Sequence, residues 1–221
     1  MPNSRKLVAY TAPYVAIVLL FGVGSFLRWS GWLHSPEFWI YPIQAIASGV
    51  LLIFYWREYE WQGPAKTTFT IMVGILVFVI WIAPQQFLQF TPRSEGFNPD
   101  VFAGNPAAYW GTVIFRFLRL VIIVPLAEEI FWRGFLLRYP IKEDFEQVPF
   151  GTFSWLSFAI VTLLFGFSHL VADWPVAVLT GAIYNGVAYR TKSLSACVLA
   201  HATTNLLLGL WIMKTKEWGF W

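Results

Sequence analysis

Long apolar runs, separated by short polar stretches, dominate the chain. Because a bilayer core about 30 Å thick needs roughly 20 mostly apolar residues per helix, we expect these runs to be membrane spans. The predicted spans are residues 7–27, 38–56, 69–88, 113–138, 153–171, 175–189 and 194–213. The pattern therefore predicts an all-α, polytopic transmembrane helix bundle of about seven spans.

The composition supports this interpretation. Of the 221 residues, 57% are hydrophobic and only 12% are charged, which is about half the charged share of a soluble domain. This composition favours a protein that is surrounded by the lipid bilayer. The basic residues form no block or stripe, so we expect no nucleic-acid partner. A single cysteine, Cys197, excludes a disulfide within the chain.

Lysine and arginine are unequally distributed over the predicted connections. With the N-terminus inside, the inner side holds Arg5, Lys6, Arg57, Lys66, Arg133, Arg138, Lys142, Arg190 and Lys192, and the outer side only Arg28, Arg93, Lys214 and Lys216. The positive-inside rule therefore predicts a cytoplasmic N-terminus, in what we expect to be a bacterial inner (plasma) membrane. We expect Arg116 and Arg119 to snorkel to the headgroups, and Arg138 to anchor at the inner surface.

The fourth predicted span carries charge in the stretch EEIFWR. A charged side chain near mid-membrane costs about 2.5 to 3.5 kcal/mol, so it is a functional candidate. Residues i and i+4 share a helix face, which pairs Glu129 with Arg133. Glu128 points about 100° away from Glu129, and we expect it to be free for chemistry.

Two further polar motifs lie in later spans. Phe165 and His169 are one turn apart in FGFSH, and His201 and Asn205 are one turn apart in HATTN. Asn185, in the sixth span, is predicted to form an interhelical hydrogen bond.

Depth along the helices indicates whether these motifs meet. At 1.5 Å per residue from the inner ends, Glu128 lies about 15 Å deep, His201 about 10 Å and Asn205 about 17 Å. These three depths agree. His169 comes out at about 24 Å, so its helix must start late or tilt for this side chain to join them.

The motif residues suit peptide hydrolysis. Glu128 with His169 fits a general base toward water, and His201 with Asn205 could stabilise the oxyanion. Two alternatives remain open: zinc held by Glu128, His169 and His201, and Cys197 as a thiolate nucleophile. We expect neither a zinc cofactor nor a thiol mechanism, because no HExxH motif occurs and apolar surroundings disfavour the thiolate.

The ordered motifs EExxxR, FxxxH and HxxxN on separate spans resemble those of the CAAX protease and bacteriocin-processing enzyme family. These proteins are glutamic intramembrane proteases related to the Ras-converting CAAX endopeptidase, and the stretch YRTKSLSACVLAHATTN is similar to the family's approach to its third motif. The resemblance covers about residues 128–205. It implies that Glu128 and His169 activate water, that His201 and Asn205 hold the oxyanion, and that no metal is required. It also implies that Glu129, Arg133 and Phe165 shape the site.

The resemblance further implies an intramembrane endopeptidase that cleaves a membrane-associated or lipid-anchored protein or peptide close to the inner face. It does not imply a prenylated substrate, because bacterial relatives include bacteriocin maturation and immunity proteins. The alternatives are a non-catalytic membrane partner or immunity-type protein with the same fold, and a proton-coupled transporter. We expect one domain over 1–221, with a catalytic core at 110–213 and peripheral spans within 1–90. The CAAX endopeptidase has eight spans, so eight is the alternative to seven.

Overall fold

A computed structural model describes residues 4–63, 65–88, 90 and 96–221. Arg93, one of the predicted outer basic residues, lies outside this part of the chain. Within it, all regular structure is helical and no strand occurs. The predicted all-α class is therefore confirmed.

Seven main helical segments follow one another in the described part of the chain. They are α1 (Ser4–Trp29), α2 (Glu37–Phe54), α3 (Thr67–Gln86), α4 (Pro106–Leu136), α5 (Trp155–Phe167), α6 (Trp174–Thr191) and α7 (Leu194–Thr215). Five of them, α1 to α4 and α7, are long and apolar enough to cross a membrane, whereas α5 has only 13 residues. The protein is thus an integral membrane protein whose described residues hold five candidate spans, and the predicted count of seven is not confirmed.

The helices run back and forth, so their ends gather at two ends of the bundle. One end, which we call the basic end, holds the ion pairs Arg5–Glu58, Lys6–Glu146 and Arg138–Glu60 at 2.6 to 2.9 Å. The opposite end holds the pairs Arg28–Glu37 and Lys216–Asp100. Arg5, Lys6 and Arg138 of the predicted inner group therefore lie at one end, and Arg28 and Lys216 of the outer group lie at the other. Arg133, which was counted with the inner group, is instead fully buried inside the bundle.

Helix α4 begins earlier than the predicted span. The side chain of Asn105 accepts a hydrogen bond from the Ala108 amide at 3.2 Å, and Pro106 occupies the first turn, as is typical of a helix start. Arg116 and Arg119 consequently lie roughly three turns inside the helix. Arg116 is only 5% exposed, and Arg119 donates to Gln44 at 2.6 Å. The prediction that both arginines snorkel to headgroups is wrong.

Arg138 follows the end of α4 and is 1% exposed. Its guanidinium donates to the carbonyl oxygens of Gly134 at 2.6 Å and Val148 at 3.2 Å, and it pairs with Glu60 at 2.9 Å. These bonds tie the end of α4 to two connections. Arg138 is therefore a buried crosslink and not the predicted surface anchor.

Small residues allow the helices around the site to approach closely. A Cβ atom on Gly74 of α3 would lie 2.6 Å from the Ala200 carbonyl oxygen of α7. A Cβ atom on Gly166 of α5 would lie 2.2 Å from a methyl group of Val178 on α6. Such contacts at small residues are a common way to pack helices in a membrane.

Candidate active site

A cavity of about 260 Å³ lies inside the bundle. Its walls come from α3 to α7, from the connection that follows α5 and from the C-terminal segment after α7. Glu128, His169, His201 and Asn205 all line it. The structure therefore brings together the four side chains to which the sequence assigned the chemistry.

Glu128 is half-buried in the cavity wall. Among the residues that the structure describes, none forms a hydrogen bond or an ion pair with its carboxylate. Its neighbour Glu129 is fully buried and has partners. The two adjacent glutamates thus occupy different environments, as the helix geometry predicted.

Arg133 organises the residues behind the cavity. Its guanidinium pairs with Glu129 at 3.0 Å and donates to Asn185 Oδ1 and the Gly181 carbonyl oxygen, each at 3.2 Å. Asn185 in turn donates to Thr162 Oγ1 at 3.1 Å, which is the interhelical bond predicted for it. Because neither Arg133 nor Glu129 is exposed to solvent, each must keep its partners to remain ionised at tolerable cost.

His201 connects this network to the cavity. Its Nδ1 lies 2.8 Å from Glu129 Oε1, and because a carboxylate accepts, Nδ1 carries the proton. The Tyr184 ring packs 5.3 Å from the imidazole, and the Tyr184 hydroxyl donates to Thr204 at 2.7 Å. The ring of His201 is therefore fixed, and its Nε2 is the nitrogen left for other contacts.

Asn205 is held by an irregular turn of α4. Residues Leu118–Ile123 form a π-helix, in which the Val124 amide bonds to the Arg119 carbonyl oxygen. In that register the Leu120 carbonyl oxygen would accept from residue 125, but Pro125 has no N–H. Asn205 Nδ2 donates to this oxygen at 2.8 Å instead. One N–H of the amide group is thereby used for positioning, and the second is left.

His169 lies beyond the end of α5, in the connection to α6. Its Nδ1 lies 2.8 Å from the Phe165 carbonyl oxygen, and its ring packs against the rings of Phe165 at 4.9 Å and Trp81 at 5.5 Å. Phe165 also contacts the Arg133 guanidinium at 4.8 Å. The chain leaves the short α5 within the bundle, which explains how a residue counted as about 24 Å deep reaches the cavity.

The structure also locates the residues on which a thiol mechanism or a zinc mechanism would depend. Cys197 is fully buried and is not part of the cavity wall. Across the described ranges, no three His, Cys, Asp or Glu side chains lie close enough together to hold a metal ion. The zinc alternative thus has no preassembled ligand set there, and metal independence stays a prediction.

Sequence reasoning missed two residues of the site. Arg119, expected at the headgroups, lines the cavity, and Asn185, expected only to join two helices, holds Arg133. Both carry a signal that the sequence offers, since an ionisable or amide side chain within an apolar helix is a functional candidate by default.

The cavity lies away from the basic end. Besides His169, its lining residues outside the long helices are Leu170, Asp173, Gly219, Phe220 and Trp221, which belong to the end opposite the basic one. The Lys and Arg distribution therefore puts the cavity toward the outside, whereas the family resemblance implies cleavage near the inner face. These two expectations cannot both hold.

A bundle of apolar helices has a cavity lined by two histidines and by a carboxylate without a partner among the described residues. These features define an integral membrane protein with a polar site inside its fold. Residues 109–207 match the model of the family described as type II CAAX prenyl endopeptidase Rce1-like. No curated protein and no solved structure matches the chain. The match confirms the resemblance that the three motifs indicated, and it supports a membrane protease of the CAAX type.

Proposed function

We propose that the protein is an intramembrane endopeptidase that hydrolyses a peptide bond of a membrane-associated or lipid-anchored substrate. The observation that carries this proposal is the Glu128 carboxylate, which has no partner among the described residues and lines one cavity with two histidines. Even a half-buried charge without a partner is costly inside an apolar bundle, and a purely structural role gives no reason to keep it there.

In the proposed reaction Glu128 and His169 activate water. The Phe165 carbonyl oxygen can only accept, so Nδ1 of His169 carries the proton. In the neutral ring Nε2 then accepts a hydrogen bond. A water molecule between Nε2 and the Glu128 carboxylate would donate one hydrogen bond to each of them. Glu128 would take up a proton from this water as its oxygen attacks the peptide carbonyl.

His201 and Asn205 would stabilise the oxyanion that this attack creates. Asn205 keeps one amide N–H for this purpose. His201 can donate from Nε2 only when its ring carries both protons, and Glu129 is the negative group beside Nδ1 that would stabilise this form. In this scheme Arg133 and Asn185 act through Glu129 as positioning residues.

A second, larger cavity supports a membrane-bound substrate. It measures about 770 Å³ and adjoins the first, because Leu170 and Trp221 line both. Its wall includes apolar side chains of α1 and α2, among them Phe21 and Ile40. An apolar part of a substrate could lie there while its peptide bond reaches Glu128.

The orientation forms part of the proposal. The Lys and Arg distribution favours a cytoplasmic N-terminus, so that the cavity faces the extracytoplasmic side and the substrates are exported or outer-leaflet proteins or peptides. A bacterial plasma membrane is the location we propose.

The test compares newly formed protein termini in membranes from cells that carry the wild type, Glu128→Gln or Thr180→Val. Thr180 also lines the cavity, and its hydroxyl has no hydrogen-bond partner, so Thr180→Val is the matched control. We expect termini that appear with the wild type and with Thr180→Val and are missing with Glu128→Gln. Identical termini in all three strains would overturn the protease proposal and favour a non-catalytic partner.

A further inference from the structure

Residues 216–221, which we call the strap, follow α7 and cover one side of the smaller cavity, which holds Glu128. Phe220 and Trp221 of the strap line this cavity, and Trp221 also lines the larger one. Leu170 likewise lines both cavities. Trp221 and Leu170 therefore form a partition between the proposed catalytic residues and the space proposed for the apolar part of a substrate.

The strap is a self-contained unit that leaves α7 at a sharp turn. Lys216 caps the helix with a φ of 61° and a ψ of 23°, in the left-handed region that residues other than glycine seldom adopt. Beyond it, the amides of Trp218, Phe220 and Trp221 donate to carbonyl oxygens of the strap itself at 2.9 to 3.1 Å. A change of φ at Lys216 would thus move the strap without breaking these bonds, as a hinge does.

Side-chain contacts hold the strap in its closed position. The ring of Trp221 packs 5.8 Å from the ring of Phe97 and 5.9 Å from that of Phe117, and Glu217 accepts from Gln86 Nε2 at 2.8 Å. The indole N–H of Trp221 is buried and has no acceptor among the described residues, which offsets part of what these contacts contribute. The closed position thus depends on a few side-chain contacts that an apolar ligand could replace.

We infer that the strap is a gate on the smaller cavity and that Trp221 is the side chain that a substrate must displace. The inference rests on the proposed function, in which the apolar part of a substrate lies in the larger cavity while its peptide bond reaches Glu128. One continuous substrate cannot occupy both cavities while the indole fills the partition between them. The strap lies outside residues 109–207, so the gate is a feature of this chain beyond the part that matches the family.

A fixed packing role for Trp221 makes a different prediction. Removal of a core side chain loosens the bundle, so buried positions elsewhere would become reactive too. Removal of a gate exposes the smaller cavity and leaves other buried positions protected. Two positions allow this comparison, because Thr180 lines the smaller cavity, whereas Cys197 is fully buried and is not part of its wall.

The test measures access to the cavity, so it does not depend on turnover. In purified Thr180→Cys protein, thiols are labelled with bulky fluorescein maleimide or with the small reagent methyl methanethiosulfonate. Mass spectrometry of the digested protein gives separate labelling rates for positions 180 and 197. The rates are compared with Trp221 intact and in combination with Trp221→Ala, Trp221→Phe or Trp110→Ala. Trp110 is an exposed tryptophan near the start of α4, at the same end of the bundle, and supplies the matched control.

We expect Trp221→Ala to raise the rate of bulky labelling at position 180 by at least about tenfold, because the ring contacts with Phe97 and Phe117 are lost. Trp221→Phe retains a ring and should raise this rate less, and Trp110→Ala should leave it unchanged. The small reagent should gain less than the bulky one, since it needs a smaller opening. Position 197 should stay unlabelled in every variant.

A reversible lock tests whether a substrate must pass the gate. In a Cys197→Ser background, Gln86→Cys and Glu217→Cys place two thiols where a hydrogen bond now joins the side chains. A bifunctional methanethiosulfonate joins the thiols in isolated membranes until a reducing agent removes it. We expect the protease-dependent termini to stop forming with the lock in place and to reappear after reduction. Each single cysteine variant, treated in the same way, is the control.

Three outcomes would overturn the inference: equal bulky labelling at position 180 with and without the Trp221 ring, an equal rise at positions 180 and 197 in Trp221→Ala, or undiminished cleavage with the lock in place. Failure of the protease proposal alone would appear as an absence of protease-dependent termini in the unlocked protein, and it would leave the labelling difference intact.

Discussion

Replacing Glu128 or Glu129 by glutamine should affect the stability of the protein very differently, although the two residues are adjacent. In Glu129→Gln the buried Arg133 loses its only counter-charge within ion-pair distance among the described residues, and His201 loses the carboxylate at its Nδ1. Breaking a buried ion pair by removing one partner costs about 3 to 5 kcal/mol. Glu128→Gln removes no observed bond, so we expect its free energy of unfolding to stay close to that of the wild type.

These energies translate into a measurable difference in Tm. At about 2 to 4 °C per kcal/mol for a protein of this size, Glu129→Gln should lower Tm by about 6 to 20 °C, and Glu128→Gln by less than about 2 °C. The single cysteine provides the assay. Cys197 is fully buried, so a thiol-reactive dye reports unfolding in detergent during a thermal ramp.

The substitution that leaves Tm nearly unchanged should be the one that abolishes cleavage by a folded protein. Glu128→Gln should reduce cleavage by about 10² to 10⁴-fold while the protein remains folded, as expected when a general base is lost. A Tm loss in Glu128→Gln as large as that in Glu129→Gln would refute the assignment of the two roles, because it would mean that Glu128 has a structural partner. An unchanged Tm in Glu129→Gln would refute the proposed role of the buried ion pair.

Further predictions concern the mechanism and the orientation. Cys197→Ser should retain activity in a cleavage assay, and complete loss would revive the thiol mechanism. Turnover should persist in purified protein after chelator treatment, and stoichiometric zinc whose removal stops turnover would contradict this expectation. Asn205→Leu should lower kcat by about 10²-fold or more and leave KM largely unchanged. In a Cys197→Ser background, an impermeant maleimide added to intact cells should label Ser35→Cys and not Glu143→Cys, and the reverse pattern would invert the predicted orientation.

The sequence predicted the motif geometry well because it depends on local rules. The spacing of Glu129 and Arg133 fixes their pairing whatever the neighbouring helices do, and the ion pair is present. The interhelical bond of Asn185 could be anticipated because an amide inside an apolar helix needs a partner. The identity of that partner could not be anticipated, since it depends on how α4 and α6 face each other.

The number of spans was harder to predict from apolar runs. The runs at 153–171 and 175–189 are apolar enough to suggest full spans, but α5 ends at Phe167 and the chain turns there into α6. A hydropathy pattern registers how apolar a segment is and not where its helix stops. Consequently the depth estimate for His169, which assumed one continuous helix, gave no account of how this side chain reaches the cavity.

The position of Arg119 in the cavity wall could not be predicted from a regular helix, and the reason also explains the irregular form of α4. In a regular α-helix two residues nine positions apart point about 180° away from each other, so Arg119 and Glu128 would not share a cavity. The π-helix Leu118–Ile123 contains Arg119 and ends before Glu128, and one turn with an extra residue changes the relative direction of the two side chains by about 100°. Pro125 disfavours a regular α-helix here because its ring clashes with the carbonyl oxygen four residues earlier. The Leu120 carbonyl oxygen, left without a backbone donor, accepts from Asn205 instead. The irregular turn thus brings the Arg119 cation toward the side of the helix that carries the Glu128 carboxylate, and it also fixes the Asn205 amide that the proposed reaction uses.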